Sequence, residues 1–389
     1  MPASATLTLP AVAEALDSGV VAPAATLFTP GPVMMDTETC DEGGQQMVYH
    51  RTAEFSRRIL RCEALLKEAC GAAAPDRVVM LTGSGTAAME GAVLNLFSSG
   101  EKVLVVNGGD FGRRFAEIAA LHGLAVEEAE LAPGRPLTAE DLRPFESAGF
   151  TGLLVNHHET STGTLMDLAL LAGFCRAHGL LFVVDAIGSF LADPLDMAWS
   201  GIDALILSSQ KALALPPGMS FVVLSARAVA RVGTFAPCSY YLDFGRYLGD
   251  IRRGQTPFTP AVGILRQLER RLGAVLEAGV ARQVAGVRAL AQDFRAKLRG
   301  LPFRVFSASP SNAVTALEPL GGVPPAHYVS RLAEEFGLFV CPNGGALRDR
   351  IFRVGHLGRL TPADNTRLVA ALRALAPSPR RQRAANPQE

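Results

Sequence analysis

Through the middle of the chain, short apolar runs alternate with longer helical patterns. "DRVVML" (76–81) precedes "GTAAMEGAVLNLF" (85–97), and "KVLVV" (102–106) precedes "FGRRFAEIAALHG" (111–123). "GLLV" (152–155) precedes "DLALLAGFCRAHG" (167–179), and "LLFVVDA", "DALILSS" and "SFVVLS" follow within 180–225. Four to six apolar residues bounded by polar ones read as buried strands, and apolar positions three and four apart read as helices. The alternation predicts an α/β layer with a mostly parallel mixed sheet over about 75–225. The helical patterns near 113–121 and 167–177 stop at glycine, a common helix terminus.

A long helical pattern over 261–299 is predicted to break near Gly279 and to bridge to a smaller domain. "FRVFS", "HYVSRLAEEFG", "LFV", "IFRVGH" and "ADNTRLVAALRAL" then predict a compact α+β unit ending near residue 376. The expected organisation is an N-terminal arm over 1–25, a large domain over 26–265, a small domain over 266–376 and a disordered tail over 377–389. No internal repeat is visible.

Composition narrows the classes. The chain has 389 residues, enough for two domains. Its 37 acidic and 37 basic residues balance, which argues against a general nucleic-acid or acidic-membrane binder. No window of eighteen residues is uniformly apolar, and the first positive side chain is Arg51, so neither a spanning helix nor a secretory leader is expected. Six scattered cysteines form no C-x-x-C pair or zinc pattern; they suggest free thiols in a reducing cytoplasm.

Ligands of an open parallel sheet bind outside the carboxyl ends of its strands. Three strand ends carry chemistry. After "DRVVML", Gly83-Ser84-Gly85-Thr86 leads into a helix, where free backbone N–H groups suit a phosphate or carboxylate. The same string satisfies G-x-G-x-x-A, but no acid ends the next strand as a dinucleotide site requires, so a dinucleotide oxidoreductase is only the runner-up. After "LLFVV" stands Asp185, which could cap a helix or hold a proton on a basic ring nitrogen. After "IDALIL" comes "SSQKAL", with Lys211. Alone, that lysine fits a loop side chain reaching solvent. An acid and a lysine on successive strand ends, downstream of an anion loop, together fit pyridoxal 5'-phosphate, which needs a covalently bonding lysine, an acid for its ring nitrogen and a phosphate cradle.

These residues sit in motifs that resemble the class V aminotransferases of pyridoxal-phosphate fold type I. The motifs are "TPGPV" (29–33), "GSGTAAMEGAV" (83–93), "NGGDFGRR" (107–114), "HHETSTG" (157–163), "VVDAIGSF" (183–190), "SSQKALALPPG" (208–218), "TPFTPAV" (256–262) and "FRVGHLG" (352–358). The resemblance spans about 26–370 and is nearest the alanine–glyoxylate and serine–pyruvate enzymes. It implies a transaminase that moves an amino group from a small amino acid to glyoxylate or pyruvate by ping-pong kinetics.

The resemblance also implies roles. Lys211 is the lysine that bonds to the cofactor, and Asp185 partners the pyridine nitrogen. Ser84, Gly85, Thr86 and Gln210 hold the phosphate, Phe111 stacks on the ring and Thr160 lies near the ring oxygen. Thr256 and Thr259 reach the phosphate from a neighbouring subunit, which implies a homodimer with shared active sites. Arg353 binds the substrate carboxylate.

His50 and Arg51 in "YHRTAEF" depart from the animal alanine–glyoxylate pattern and are candidates to bind a second anionic group. Together with "HHETSTG", they leave a 2-aminoethylphosphonate–pyruvate-type transaminase as the alternative, although Gln210 stands where that group usually has asparagine. A pyridoxal-phosphate lyase on the same fold is a further alternative. His356 and Cys341 read as structural.

Overall fold

The structure is a computed structural model and describes residues 25–377. The expected tail, apart from its first residue, and nearly all of the expected N-terminal arm lie outside the described residues. So does any leader segment.

In chain order the strands are β1 (Thr26–Phe28), β2 (Arg77–Thr82), β3 (Lys102–Asn107), β4 (Ala125–Glu130), β5 (Gly152–Asn156), β6 (His158–Glu159), β7 (Thr164–Leu165), β8 (Leu181–Asp185), β9 (Ala204–Ser208), β10 (Met219–Leu224), β11 (Phe303–Val305), β12 (Val314–Pro319), β13 (Leu338–Pro342) and β14 (Phe352–Gly355). Seven form one sheet in the order β2-β10-β9-β8-β5-β3-β4. Only β10 runs antiparallel to its neighbours. The strands β5, β8, β9 and β10 are buried at every position, because helices cover both faces. Alternate residues feed two cores: Phe182 and Val184 pack on one side of the sheet, and Leu181 and Val183 on the other.

The order places β3 and β5 side by side while their connections leave in opposite directions, which opens a crevice at their carboxyl ends. The ends of β2, β8 and β9 point the same way. The residues after five strands therefore converge on one crevice.

Helix boundaries follow local chemistry. The Thr52 side chain accepts from Phe55 N at the start of helix Ala53–Cys70, and Gly71 ends it in the left-handed region at φ 68°. The predicted break is real: helices Val262–Ala278 and Val280–Lys297 are separated by Gly279 at φ 90°.

The second sheet has the order β1-β13-β14-β12-β11, packed against helices Pro325–Phe336 and Pro362–Leu375 around Phe28, Phe294, Tyr328 and Phe352. Three features differ from the sequence reading. Strand β1, expected in the large domain, pairs parallel with β13 and buries Phe28 in the small core. Strand β12, which sits inside this sheet, was not anticipated, nor was the acidic edge strand β4 ("AVEEAE") of the large sheet.

Among the described residues, no helix is long and apolar enough to cross a membrane. All six cysteines are unpaired, and burial pushes the Cys70 thiol up to about 12.

Candidate active site

A cavity of about 120 Å³ lies at the converging strand ends. Ser84, Gly85, Thr86, Phe111, Thr160, Asp185, Gln210 and Lys211 line it, so eight sequence-predicted residues meet in one place. Larger cavities of about 500 and 600 Å³ lie elsewhere, between helices, and hold neither Lys211 nor Asp185.

Lys211 sits just beyond buried β9. Burial, then the Arg353 charge, draws its ammonium down to about 8, with Asp185 opposing. The loop of "TPGPV" packs on it: a Cβ at Gly31 would lie 2.7 Å from both Gln210 O and Lys211 Cδ, at a φ of +142°. That close approach explains why glycine stands there.

Asp185 ends β8, fully enclosed. Its Oδ1 accepts from Ile187 N at 2.8 Å, and its Oδ2 accepts from Asn156 Nδ2. Burial pushes the carboxyl up to about 6, because these neutral donors only partly offset desolvation. A buried carboxylate held only by neutral donors is suited to a cationic partner brought by a ligand.

The anion end is built from the start of helix Gly85–Leu96. Its cap residue Ser84 makes no side-chain capping bond, and its first turn carries no acid, so the positive helix end is uncompensated. At Gly85 a Cβ would lie 2.3 Å from Ile187 Cδ1, so only glycine lets the helix start press against the residues after β8. Gln210 Oε1 accepts from Ser208 Oγ at 2.6 Å.

Phe111 opens helix Asp110–Leu121, held by a residue the sequence reading did not single out. Glu159 is buried, and its carboxylate accepts from Gly112 N at 3.0 Å, Phe111 N at 3.4 Å and Ser161 N at 3.1 Å. A carboxylate at a helix start compensates the exposed N–H groups there. A Cβ at Gly112 would lie 2.7 Å from Asn107 Cα and 2.9 Å from Val106 O, both backbone atoms that cannot yield cheaply. Gly112→Ala is expected to destabilise the fold by about 1–3 kcal/mol and to weaken cofactor retention. Thermal unfolding read with cofactor fluorescence checks both; an unchanged midpoint would show that the β3–helix turn relaxes freely.

Arg114, also not singled out, lies over the Phe111 ring at 4.7 Å and donates to Thr86 Oγ1 at 3.2 Å, which links the ring-stacking and phosphate parts. Asn156 and His158 are two more such residues. The sequence signal for His158, Glu159 and Arg114 was their place inside "HHETSTG" and "NGGDFGRR", without a role attached.

Arg353 does not line the cavity but donates to the carbonyl of Thr160, which does, at 3.4 Å. It also donates to Pro342 O at 2.6 Å and to Cys341 Sγ at 3.1 Å, while its buried Nε has no partner. The guanidinium is thus oriented by three of its five N–H donors, with the Nε–H and one Nη1–H left over.

Four predicted residues are not brought to Lys211 within the chain. Arg51 donates to Gln255 Oε1 at 2.8 Å and to Thr256 O at 2.9 Å. Thr256 Oγ1 donates to Phe258 O at 2.7 Å, Thr259 is exposed, and His50 packs edge-on against Tyr49.

Comparison with known proteins agrees with this geometry. Residues 24–304 match the family "Aminotransferase class-V". The "Soluble hydrogenase, small subunit" of Synechococcus sp. is 31% identical over 90% of this chain and 92% of its own length. The alanine–glyoxylate aminotransferase of Oryctolagus cuniculus is 29% identical over 92% and 94%, and the 2-aminoethylphosphonate–pyruvate transaminase of Burkholderia thailandensis is 33% identical over 89% and 95%. The solved structure of a subgroup IV aspartate aminotransferase from Thermus thermophilus superposes with a TM-score of 0.84 at 33% identity, covering 90% of this chain and 98% of that one. With the motifs, the two-sheet architecture and the Lys211–Asp185 cavity, these matches identify the chain as a member of the class V aminotransferases, a fold type I transaminase whose cofactor is pyridoxal 5'-phosphate.

Proposed function

We propose that the protein transfers the amino group of a small amino acid, of the alanine or serine kind, to a 2-oxo acid such as glyoxylate or pyruvate. The observation that carries this reading is the tight cavity of about 120 Å³ holding Lys211, beside which the Arg353 guanidinium keeps its Nε–H without a partner, whereas Arg114 is engaged with Thr86 and the Phe111 ring. The other candidate anion binder, Arg51, does not line this cavity, and its Nη1 donates to Gln255 and Thr256. The rabbit relative's name supports the same substrates.

When bound, pyridoxal phosphate supplies an aldehyde that condenses with amines and a ring that takes up the electron pair left by a departing proton. The chain's residues fit it. Ser84, Gly85, Thr86 and Gln210 receive the phosphate at the uncompensated helix start. The Asp185 carboxylate holds a proton on the ring nitrogen, the cation its burial lacks. Phe111 and Ile187 line the cavity as apolar walls that exclude water. The Lys211 amine carries the proton from the donor's α-carbon; with its ammonium drawn down to about 8, about a tenth is free base at pH 7. The Arg353 guanidinium orients the donor by its carboxylate.

Thr256 and Thr259 serve in this reading from a second copy, giving a homodimer with shared sites; that neither lines the Lys211 cavity of its own chain is what supports it. The division into a large domain and a small domain beginning near 266 remains part of the reading, with β1 as the exception. The unpaired cysteines support a reducing, cytoplasmic setting.

The experiment is a donor panel of alanine, serine, aspartate and 2-aminoethylphosphonate with glyoxylate or pyruvate, run on the wild type and on Arg51→Ala. Alanine or serine is expected to be preferred in both, with relative rates unchanged. A preference for aspartate or the aminophosphonate that Arg51→Ala erases would favour a second-anion transaminase, the reading to which the Burkholderia relative's name points. Product formation without an added oxo acid would place the protein among the lyases.

A further inference from the structure

We propose that His158 shares with Thr160 the task of holding the ring oxygen of the cofactor, its imidazole N–H acting as a second hydrogen-bond donor. The inference rests on the pyridoxal-phosphate reading of the cavity and adds to it a positioning residue on this chain.

The argument begins with an unmatched side chain. His158 is 3% exposed and lines the cavity, and neither of its ring nitrogens has a partner. A buried polar atom left unpaired is costly, and native proteins rarely carry two on one ring. The ring is not loosely placed. It belongs to β6, whose pairing with β7 sets His158 opposite Leu165. On its other side, a Cβ at Gly188 would lie 2.5 Å from His158 Nδ1 and 3.0 Å from Thr160 Oγ1. The imidazole nitrogen and the threonine hydroxyl therefore crowd the same point of backbone, and glycine at 188 is what admits both.

The imidazole is neutral. Burial lowers its basicity most; the adjacent Gly188 backbone opposes this, and the charges of His157, Lys211 and Arg353 add to the lowering, while the carboxylate of Asp185 also lines the cavity. A neutral imidazole offers one N–H donor and one acceptor. The polar parts of the cofactor can then be assigned by elimination. The phosphate has the helix start, the ring nitrogen has Asp185 and the aldehyde has Lys211. The ring oxygen remains; with Arg114 engaged by Thr86 and the Phe111 ring, the neighbouring Thr160 and His158 are the polar side chains of the cavity left to meet it.

A donor on that oxygen favours its deprotonated form, so removing the donor makes the bound chromophore hold its proton to higher pH. The test is a visible-absorbance titration of the cofactor-loaded protein for wild type, His158→Phe and His158→Gln. His158→Phe keeps the ring volume without a donor, and its titration midpoint is expected to rise by about one pH unit, a tenfold change in proton affinity. His158→Gln restores an N–H and is expected to return towards the wild type. If His158→Phe does not fold, His158→Ala serves, with the same expected rise. A loaded donor-less variant that titrates like the wild type would overturn the inference while leaving the cofactor site intact. A wild type with no visible band after incubation with pyridoxal phosphate would overturn the cofactor reading, and this inference with it.

Discussion

Lys211→Ala is expected to lower transamination by at least about 10⁴-fold, since one change removes both the covalent attachment and the proton carrier. The cavity tells why no neighbour substitutes. Arg353 and Arg114 are guanidinium groups, which offer donors and no acceptor that could take up a proton. His158 is neutral, but its pairing with Thr160 assigns it to another task. The absorbance band that depends on the lysine's bond to the cofactor should give way to that of the free aldehyde, while the phosphate residues still bind the cofactor reversibly. Single-turnover kinetics and absorbance on the same sample check both. Residual activity above a hundredth of the wild type would move the proton transfer to a different group. The uncompensated helix start at Ser84 makes the separation of binding from chemistry expected, because that part of the cavity is untouched.

Lys211 and Asp185 were legible because each is a charged residue ending a run of buried apolar ones, a pattern that stands out without any knowledge of contacts. The break at Gly279 was legible for a similar reason, being one residue with local consequences. Glu159 and Arg114 were not, because their meaning lies in partners far along the chain. Glu159 serves Gly112 and Phe111, and Arg114 reaches Thr86; only the sheet order brings these segments together. Strand β1 shows the same limit at the level of the fold. Three residues, Thr26–Phe28, carry no signal of which sheet they join, and the choice is made by the edge of β13 and the space for Phe28. Strand β4 was hidden by its three glutamates, tolerable because it is an edge strand beside only β3. Arg51 was read as a candidate for a second anionic group from its place in "YHRTAEF", a pattern that carries no information on its Nη1 contacts with Gln255 and Thr256 far along the chain.

Asp185→Asn is expected to lower the rate by about 10²–10³-fold, because an amide keeps the shape of the site but cannot hold a proton on the ring nitrogen. The same variant makes a second, independent prediction about stability without cofactor. Burial raises the carboxyl from 3.8 to about 6, so between those values the folded protein binds more protons than the unfolded chain. The stability contributed by the protonated group is fully present below about pH 4 and is lost as pH rises through about 6. At pH 7 to 8 the cofactor-free wild type therefore carries an ionised, enclosed carboxylate worth about 3 kcal/mol of instability. Cofactor-free Asp185→Asn should unfold at higher denaturant than cofactor-free wild type at pH 7.5, and the difference should close by pH 4. Adding pyridoxal phosphate should reverse the order, since the wild type alone gains an ion pair from it. Denaturant unfolding of both proteins, with and without cofactor, at the two pH values decides the matter. If the cofactor-free curves coincide at pH 7.5, solvent or a neighbouring donor already compensates Asp185, and the site is less committed to a cationic ring than its burial implies. If they diverge as expected, the residue that most weakens the empty protein is the one that the cofactor needs.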